Sequence, residues 1–375
     1  MLDKICHLES QIRDNYGSSC YSTAMKELLF LFLRLGFFAF GGPAAHIAML
    51  EHECVEKRQW LSKEEFLDLI ALTNLIPGPN STEMVLHMGY LKAKGKGMII
   101  AGLAFILPAM SMVLALAYVL KEFGSLPAIE SILISITPVI VALIASVGFK
   151  LSSSQLNNTK NLLLFIFAFL LSLFGLKELT ILLLTGIVYI LVDKLQTKTF
   201  VVEPLSLLGL FLIFLKIGSV LYGSGYVLLS FLNSELLHPG YLDAQTIIDA
   251  LTIGQLTPGP VFTTATAIGY FMLDIPGAIV ATIGIFLPSF LFVYFLHPLF
   301  PKMKQNKILK SILEGVRLAS LALIFKVVYD LGLNLNAVQI AFAVGSFILL
   351  IKTKLNPTWL ILAMGSYGFI LSLVA

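Results

Sequence analysis

Pro77-Gly78-Pro79 and Pro258-Gly259-Pro260 each interrupt a hydrophobic segment, and they lie 181 residues apart. Proline removes a backbone donor, clashes with the preceding helical turn and disfavours helix at the residue before it. Two prolines around a glycine therefore break a helix rather than bend it. At membrane depth, broken helices are tolerated only where protein buries them or where they line a cavity. Breaks at matching positions in two halves of a chain point to a transporter's binding site.

Composition places these breaks in a membrane. The 375 residues are 58% hydrophobic and only 13% charged, against about 25% charged in soluble domains. Apolar runs near the ~20 residues needed to span a bilayer recur along the chain. The formal charge of +3 sits largely in short loops, which reads as a topology signal rather than nucleic-acid binding. Cys6, Cys20 and Cys54 form no CxxC pair, so neither a disulfide framework nor a metal knuckle is expected. The six histidines are scattered and no metal or cofactor is expected. The N-terminus has no basic, apolar and small-residue succession of a removable signal peptide.

The halves align in one register. Leu33-Arg34-Leu35-Gly36 matches Leu215-Lys216-Ile217-Gly218, Phe40-Gly41-Gly42 matches Tyr222-Gly223-Ser224, and Glu53 matches Glu235. Asp68 falls on Asp249, and Asn74-Leu75-Ile76 before the first break falls on Gln255-Leu256-Thr257 before the second. Gly89-Tyr90 then matches Gly269-Tyr270, and Leu107-Pro108 matches Leu287-Pro288. The expected organisation is an N-terminal segment 1–27, a first repeat 28–198 and a second repeat 199–375. Apolar segments fall at 28–50, 66–90, 98–120, 127–149, 161–176 and 179–192, then at 205–232, 246–271, 275–296, 308–331, 336–351 and 357–374.

Loop charges orient the halves. Lys92, Lys94 and Lys96 crowd the loop after the first broken segment, whereas the equivalent loop holds Asp274 and no base. One connection later the pattern reverses: 121–126 carries Lys121 and Glu122, while 301–310 carries Lys302, Lys304, Lys307 and Lys310. The positive-inside rule then gives the halves opposite orientations. Each arm of a broken segment has about 10–12 residues, ~15–18 Å of helix, too short for a ~30 Å core. The expectation is an all-α inverted repeat, each half with five full spans and one re-entrant hairpin tipped by Pro-Gly-Pro, and both termini outside.

Two tips entering from opposite sides would meet near the midplane. The half-helix after each tip starts with Asn80-Ser81-Thr82-Glu83 or Val261-Phe262-Thr263-Thr264. Helix N-termini offer free N–H groups and partial positive charge to anions. Asn80, Ser81, Thr82, Thr263 and Thr264 are thus candidate anion donors, or simply caps of their own helices. Arg34 and Lys216, equivalent cations in apolar spans, are candidate partners for a dianion; snorkelling or a structural ion pair is the alternative. Glu83 and His87 share a helix face at i, i+4 and form either a one-sided proton relay or a satisfied interior pair. Asp68 and Asp249, near the starts of the first arms, are weaker coupling candidates; a helix-dipole or interfacial role is favoured. Gly41-Gly42-Pro43 and Gly223-Ser224-Gly225 read as close-packing surfaces in preference to further breaks.

These motifs resemble the chromate ion transporter family in its long two-domain form. The resemblance rests on Phe40-Gly41-Gly42-Pro43, Trp60-Leu61-Ser62, Asn74 through Glu83, Lys216 through Gly225, Gly254 through Thr264, and Gly284-Ile285-Phe286-Leu287-Pro288-Ser289. It implies a multi-pass inner-membrane secondary transporter, not an enzyme, that exports chromate with proton linkage and confers chromate resistance. Expected partners are the oxyanion, protons and membrane lipid, with a homodimer left open. Sulfate or another tetrahedral dianion is the alternative cargo, since shape and charge are shared; an anion channel is a further alternative. No flavin, haem or cysteine motif supports a membrane-embedded reductase.

Overall fold

The computed structural model describes residues 18–39, 42–73, 76–124, 126–156, 159–174, 176, 178–188, 206–221, 227–237, 239–299, 307–353, 355 and 357–374. The described secondary structure is helical. The first half has α1 (Ser18–Phe38), α2 (Gly42–Leu50) continuing as a π-helical turn (Glu51–Lys57), α3 (Lys63–Thr73), α4 (Asn80–Phe123), α5 (Pro127–Gln155), α6 (Thr159–Leu173) and α7 (Glu178–Val188). The second has α8 (Leu207–Val220), α9 (Leu228–Leu232) with its π-helical extension (Asn233–Leu237), α10 (Ala244–Leu256), α11 (Thr264–Leu296), α12 (Lys307–Gly332), α13 (Ala337–Lys352) and α14 (Pro357–Val374). Asn80–Phe123, Pro127–Ser153 and Val261–Leu296 are long and apolar enough to cross a membrane, and Ala337–Lys352 and Pro357–Leu373 are among the shorter apolar helices.

Helix starts are written locally. Ser62 accepts from the Glu65 N–H at 3.2 Å while the Glu65 carboxylate accepts from the Ser62 N–H at 2.8 Å, a capping box for α3. In the second half Asp243 accepts from the Thr246 N–H at 2.9 Å and caps α10. These caps start both helices earlier than 66 and 246. Asp68 and Asp249 consequently lie mid-helix, beyond the first turn where a carboxylate meets the helix dipole, which removes the helix-dipole part of the role expected for them. The Asp249 carboxylate accepts from Gln245 Nε2 at 2.8 Å.

The long helices α4 and α11 each contain the same two-residue interruption. Ala93 (φ −149°, ψ 34°) and Lys94 (φ 50°, ψ −145°) separate two arms of α4, and Leu273 (φ −138°, ψ 33°) and Asp274 (φ 51°, ψ −149°) do so in α11. The first arms belong to the broken segments and the second arms to the long spans. Gly36 of α1 and Gly218 of α8 let these helices cross the second arms at backbone contact. A Cβ at Gly36 would lie 2.7 Å from the Phe105 carbonyl oxygen, and one at Gly218 would strike the Ile285 carbonyl, which explains why only glycine fits there.

Segments 28–50 and 205–232 are not single spans. The Arg34 guanidinium pairs with Glu53, and Lys216 Nζ donates to Glu235 at 2.6 Å. In a continuous helix, residues 19 apart would be ~28 Å apart, so each segment doubles back on itself. In the first half, Arg58 also lies 3.3 Å from Glu27. α1 ends at Phe38 and α2 starts at Gly42, so the helix is interrupted just before Gly42-Pro43, with proline tolerated in a first helical turn; Gly41 lies outside the described residues. The equivalent Gly223-Ser224-Gly225 lies outside the described residues. Each half thus opens with two consecutive helical hairpins, followed by four further helical segments in place of five full spans and one hairpin.

The remaining helices interlock. α5 of the first half packs on α13 and α14 of the second, while α12 of the second packs on α6 and α7 of the first. α4 and α11 pack on each other. They run antiparallel: a Cβ at Gly95 would lie 3.2 Å from the Tyr294 ring, and Lys121 Nζ is 2.5 Å from Asp274. The main buried cluster unites both halves, including Val139, Ile140, Phe214, Phe231, Phe262, Ile285 and Leu323.

Candidate functional site

Backbone hydrogen bonding crosses between the halves at the breaks. The Gly78 N–H donates to the Leu221 carbonyl at 2.7 Å, and the Gly259 N–H donates to the Ala39 carbonyl at 3.1 Å. Ala39 follows α1 and Leu221 follows α8, so each Pro-Gly-Pro tip docks on the first hairpin of the opposite half. Gly78 has φ 138° and Gly259 φ 98°, values that favour glycine. Pro79 and Pro260 are extended (ψ 102° and 130°), so the chain re-enters helix only beyond them. Pro77 is partly exposed, whereas Pro79, Pro258 and Pro260 are buried.

The two restarting helices differ. In α4, Ser81 is 2% exposed, and Thr82, Glu83 and His87 are 0% exposed; Asn80 at the helix start is half-buried. Among the described residues, Thr82 Oγ1, both Glu83 carboxyl oxygens and Ser289 Oγ have no hydrogen-bond partner. A Cβ at Gly78 would strike Glu83 Oε1 and lie 2.5 Å from Ser289 Oγ. The first tip, the Glu83 carboxyl and the Ser289 hydroxyl thus meet at one point. Burying an unpaired charge costs far more than burying a neutral carboxyl, so proton gain or loss at Glu83 carries a large free-energy consequence. At the second tip, Thr263 Oγ1 donates to the Pro260 carbonyl and Thr264 Oγ1 to the Val261 carbonyl, each at 2.8 Å. Those hydroxyl protons are engaged at home.

Arg34 and Lys216 stand shortly before the turns at Ala39 and Leu221, and each meets the glutamate 19 residues on. Glu53 also binds Arg58, and Lys57 Nζ lies 3.7 Å away. Burial pushes the Glu53 carboxyl up, but the Arg58 and Arg34 hydrogen bonds and charges outweigh it and hold the group below the usual carboxylate range. Lys216 shares Glu235 at 33% and 21% side-chain exposure, and Glu178 feels both charges. Three cations therefore surround one carboxylate in the first half, and one cation faces carboxylates in the second.

Asp68 and Asp249 are partly buried on α3 and α10. Sequence reasoning missed Ser289 and the pairing of Arg34 and Lys216 with their glutamates. The pairing was visible in principle, because Glu53 and Glu235 stand at one spacing from equivalent cations. His297, which contacts His87, has no counterpart in the repeat that could have flagged it. Among the described residues no group of three or more His, Cys, Asp or Glu is placed to hold a metal ion.

Comparison with known proteins agrees with this two-half arrangement. The chromate transporter family model matches residues 26–191 and again 208–369. The chain is 29% identical to a chromate transport protein of Cupriavidus metallidurans over 80% of each chain. It is 28% identical to a probable chromate transport protein of Synechococcus elongatus, over 89% of this chain and 91% of the relative. A chromate transport protein of Pseudomonas aeruginosa is 27% identical over 92% of both chains. No solved structure matches the chain. The duplicated match, one copy on each half of a helical, apolar chain, makes this a membrane transporter rather than an enzyme, and the chain belongs to the chromate transporter family.

Proposed function

We propose that this protein exports chromate across the plasma membrane, linked to proton entry, and that export confers chromate resistance. The observation that supports the reading is the pair of cross-docked tips, each Pro-Gly-Pro hydrogen-bonded to the first hairpin of the opposite half in a chromate-transporter-family chain. The oxyanion binds between the restarts of α4 and α11, using Asn80, Ser81 and Thr82 on one side and Thr263 and Thr264 on the other. Helix N-termini supply N–H donors there even where hydroxyl protons are engaged. Arg34 and Lys216 leave Glu53 and Glu235 to neutralise the dianion, so carboxylate and oxyanion compete for the same cations. Glu83 exchanges the coupled proton.

The halves have inverted topology in this reading. Its support is the antiparallel packing of the α4 and α11 second arms, together with lysines in 91–97 and 301–310. The count of an odd number of spans no longer supports inversion, since each half opens with two hairpins; the connection 189–205 lies outside the described residues. With 91–97 inside, Glu27 is inside too, because it lies 3.9 Å from Lys92. The α1 entry is then cytoplasmic rather than external.

Export is the electrically easier direction. Moving one charge through ~100 mV is worth ~2.3 kcal/mol, so a dianion leaving a negative interior gains about twice that. The test is chromate accumulation in a sensitive host expressing wild type, Arg34→Ala, Lys216→Ala or Ser81→Ala. Wild type lowers accumulation and the three variants do not. Protection by all three equal to wild type would refute the site.

A further inference from the structure

His87 and His297 come from opposite halves, yet their Nδ1 atoms lie 2.9 Å apart. The ring centroids are 5.1 Å apart at an interplanar angle of 36°. One imidazole must donate and the other accept in such a bond. His87 is fully buried and His297, just past α11, is partly exposed. Tyr90 covers the pair, its ring 4.5 Å from that of His297, and Tyr294 meets Tyr90 edge-on at 6.4 Å. Lys94, in the turn of α4, lies 5.4 Å from the Tyr90 ring centre. Among the described residues, the titratable neighbours of the pair are Tyr90 and Tyr294, and Lys94 is the charge that acts on His297. Burial, then the Lys94 charge, lowers the His297 imidazole to about 4, so the ring is uncharged at neutral pH. One helical turn deeper than His87, on the same face of α4, stands Glu83.

We propose that Glu83, His87 and His297 form a proton route from the first hairpin tip to the rim of the molecule around Lys94 and His297. The inference rests on the proton-linked reading and adds the path that such coupling requires. Outward along the route, the Glu83 carboxyl, which lies against Gly78 and makes no hydrogen bond there, first turns toward His87 and then gives its proton to His87 Nε2. His87 then releases its Nδ1 proton to His297 Nδ1, and His297 releases its Nε2 proton to water at the rim. Every N–H or O–H bond broken is matched by one formed, and each ring passes through a transient imidazolium. The route is one-sided: the second-half equivalents of Glu83 and His87 are Thr264 and Ile268, which carry no exchangeable charge. Proton entry therefore ends at the Lys94 end: the proton leaves the centre through a histidine bridge that spans the two halves, and no equivalent path starts at the second tip.

Purified full-length protein in liposomes tests this. Chromate flux is measured against imposed pH gradients, with chromate-for-chromate exchange at equal pH reporting that the protein is folded. Wild-type flux rises with the gradient. In His87→Gln and His297→Gln the gradient-driven flux falls roughly a hundredfold, the scale of a lost proton-transfer group, and the rate no longer follows the gradient while exchange is still measurable. Gradient dependence equal to wild type in both variants overturns the route. If a variant also loses exchange, added imidazole decides: restored gradient-driven flux supports the relay, and no restoration overturns it. Wild-type flux indifferent to the gradient would instead sink proton linkage itself, before any variant is considered, and the route would fall with it.

Discussion

The tip glycines show how much a single residue carries. Gly78 and Gly259 combine positive φ with no room for a Cβ, which would meet Glu83 and Ser289 in one case and Ala109 in the other. Gly78→Ala and Gly259→Ala should each lose about 1–3 kcal/mol from backbone strain alone, read as a lower melting temperature in detergent. Glu83→Gln keeps the shape of the carboxyl but removes its proton exchange, so export should lose its pH dependence while the melting temperature stays close to wild type. Outside the membrane, Asp243 offers a clean titration. Its partial burial raises the carboxyl, but hydrogen bonds from Thr246 outweigh that and depress it. A depressed carboxylate stabilises the fold above its unfolded value, and that contribution disappears as pH falls through the folded one. Asp243→Ala should therefore cost about 1 kcal/mol at neutral pH and nothing in strong acid, checked by melts at both. At this scale, Glu83, His87, Arg34 and Lys216 were legible because charge inside an apolar segment is conspicuous. Their partners were not, since contact between Arg34 and Glu53 depends on a turn that hydropathy does not register.

Helical hairpins carry the candidate site residues, and the two kinds differed in legibility. Those at 66–90 and 246–271 announced themselves through two prolines around a glycine. The pair before them did not: apolar residues run on through Ala39 and past Gly42, so the segment has the hydropathy of one span while the backbone reverses. What closes each first hairpin is its ion pair, and the two are unequal. Glu53 is 5% exposed and holds Arg34, Arg58 and Lys57; Glu235 is more exposed and holds Lys216. Glu53→Gln leaves cations without their counterion and should cost on the order of 2 kcal/mol. Glu235→Gln, in a wetter site, should cost under about 1 kcal/mol, both by thermal unfolding in detergent. Reversing the second pair, Lys216→Glu with Glu235→Lys, should recover stability relative to Lys216→Glu alone without recovering chromate export. Full recovery of export would show that Lys216 serves only the hairpin.

For the whole molecule, the antiparallel α4 and α11 arms make a sharp statement about sidedness. In a variant lacking Cys6, Cys20 and Cys54, a cysteine at Lys94 should react with an impermeant maleimide only from the cytoplasmic side. Cysteines at Lys121 and Asp274 should react only from outside. Labelling of residues 94 and 121 from one side would refute the inverted arrangement. Duplication was readable from matched motifs, but the interlock of α5 with α13 and α14, and of α12 with α6 and α7, was not, because uniformly apolar helices carry little information about their neighbours. The exchange of backbone hydrogen bonds at the tips also sets a clock on biogenesis. The Gly78 N–H needs the Leu221 carbonyl, which the ribosome adds 143 residues later. At ~5–20 residues per second the first tip waits roughly seven to thirty seconds without its partner. Throughout that interval the nascent first half sits in the bilayer as an unfinished structure, open to quality-control proteases until the second half arrives.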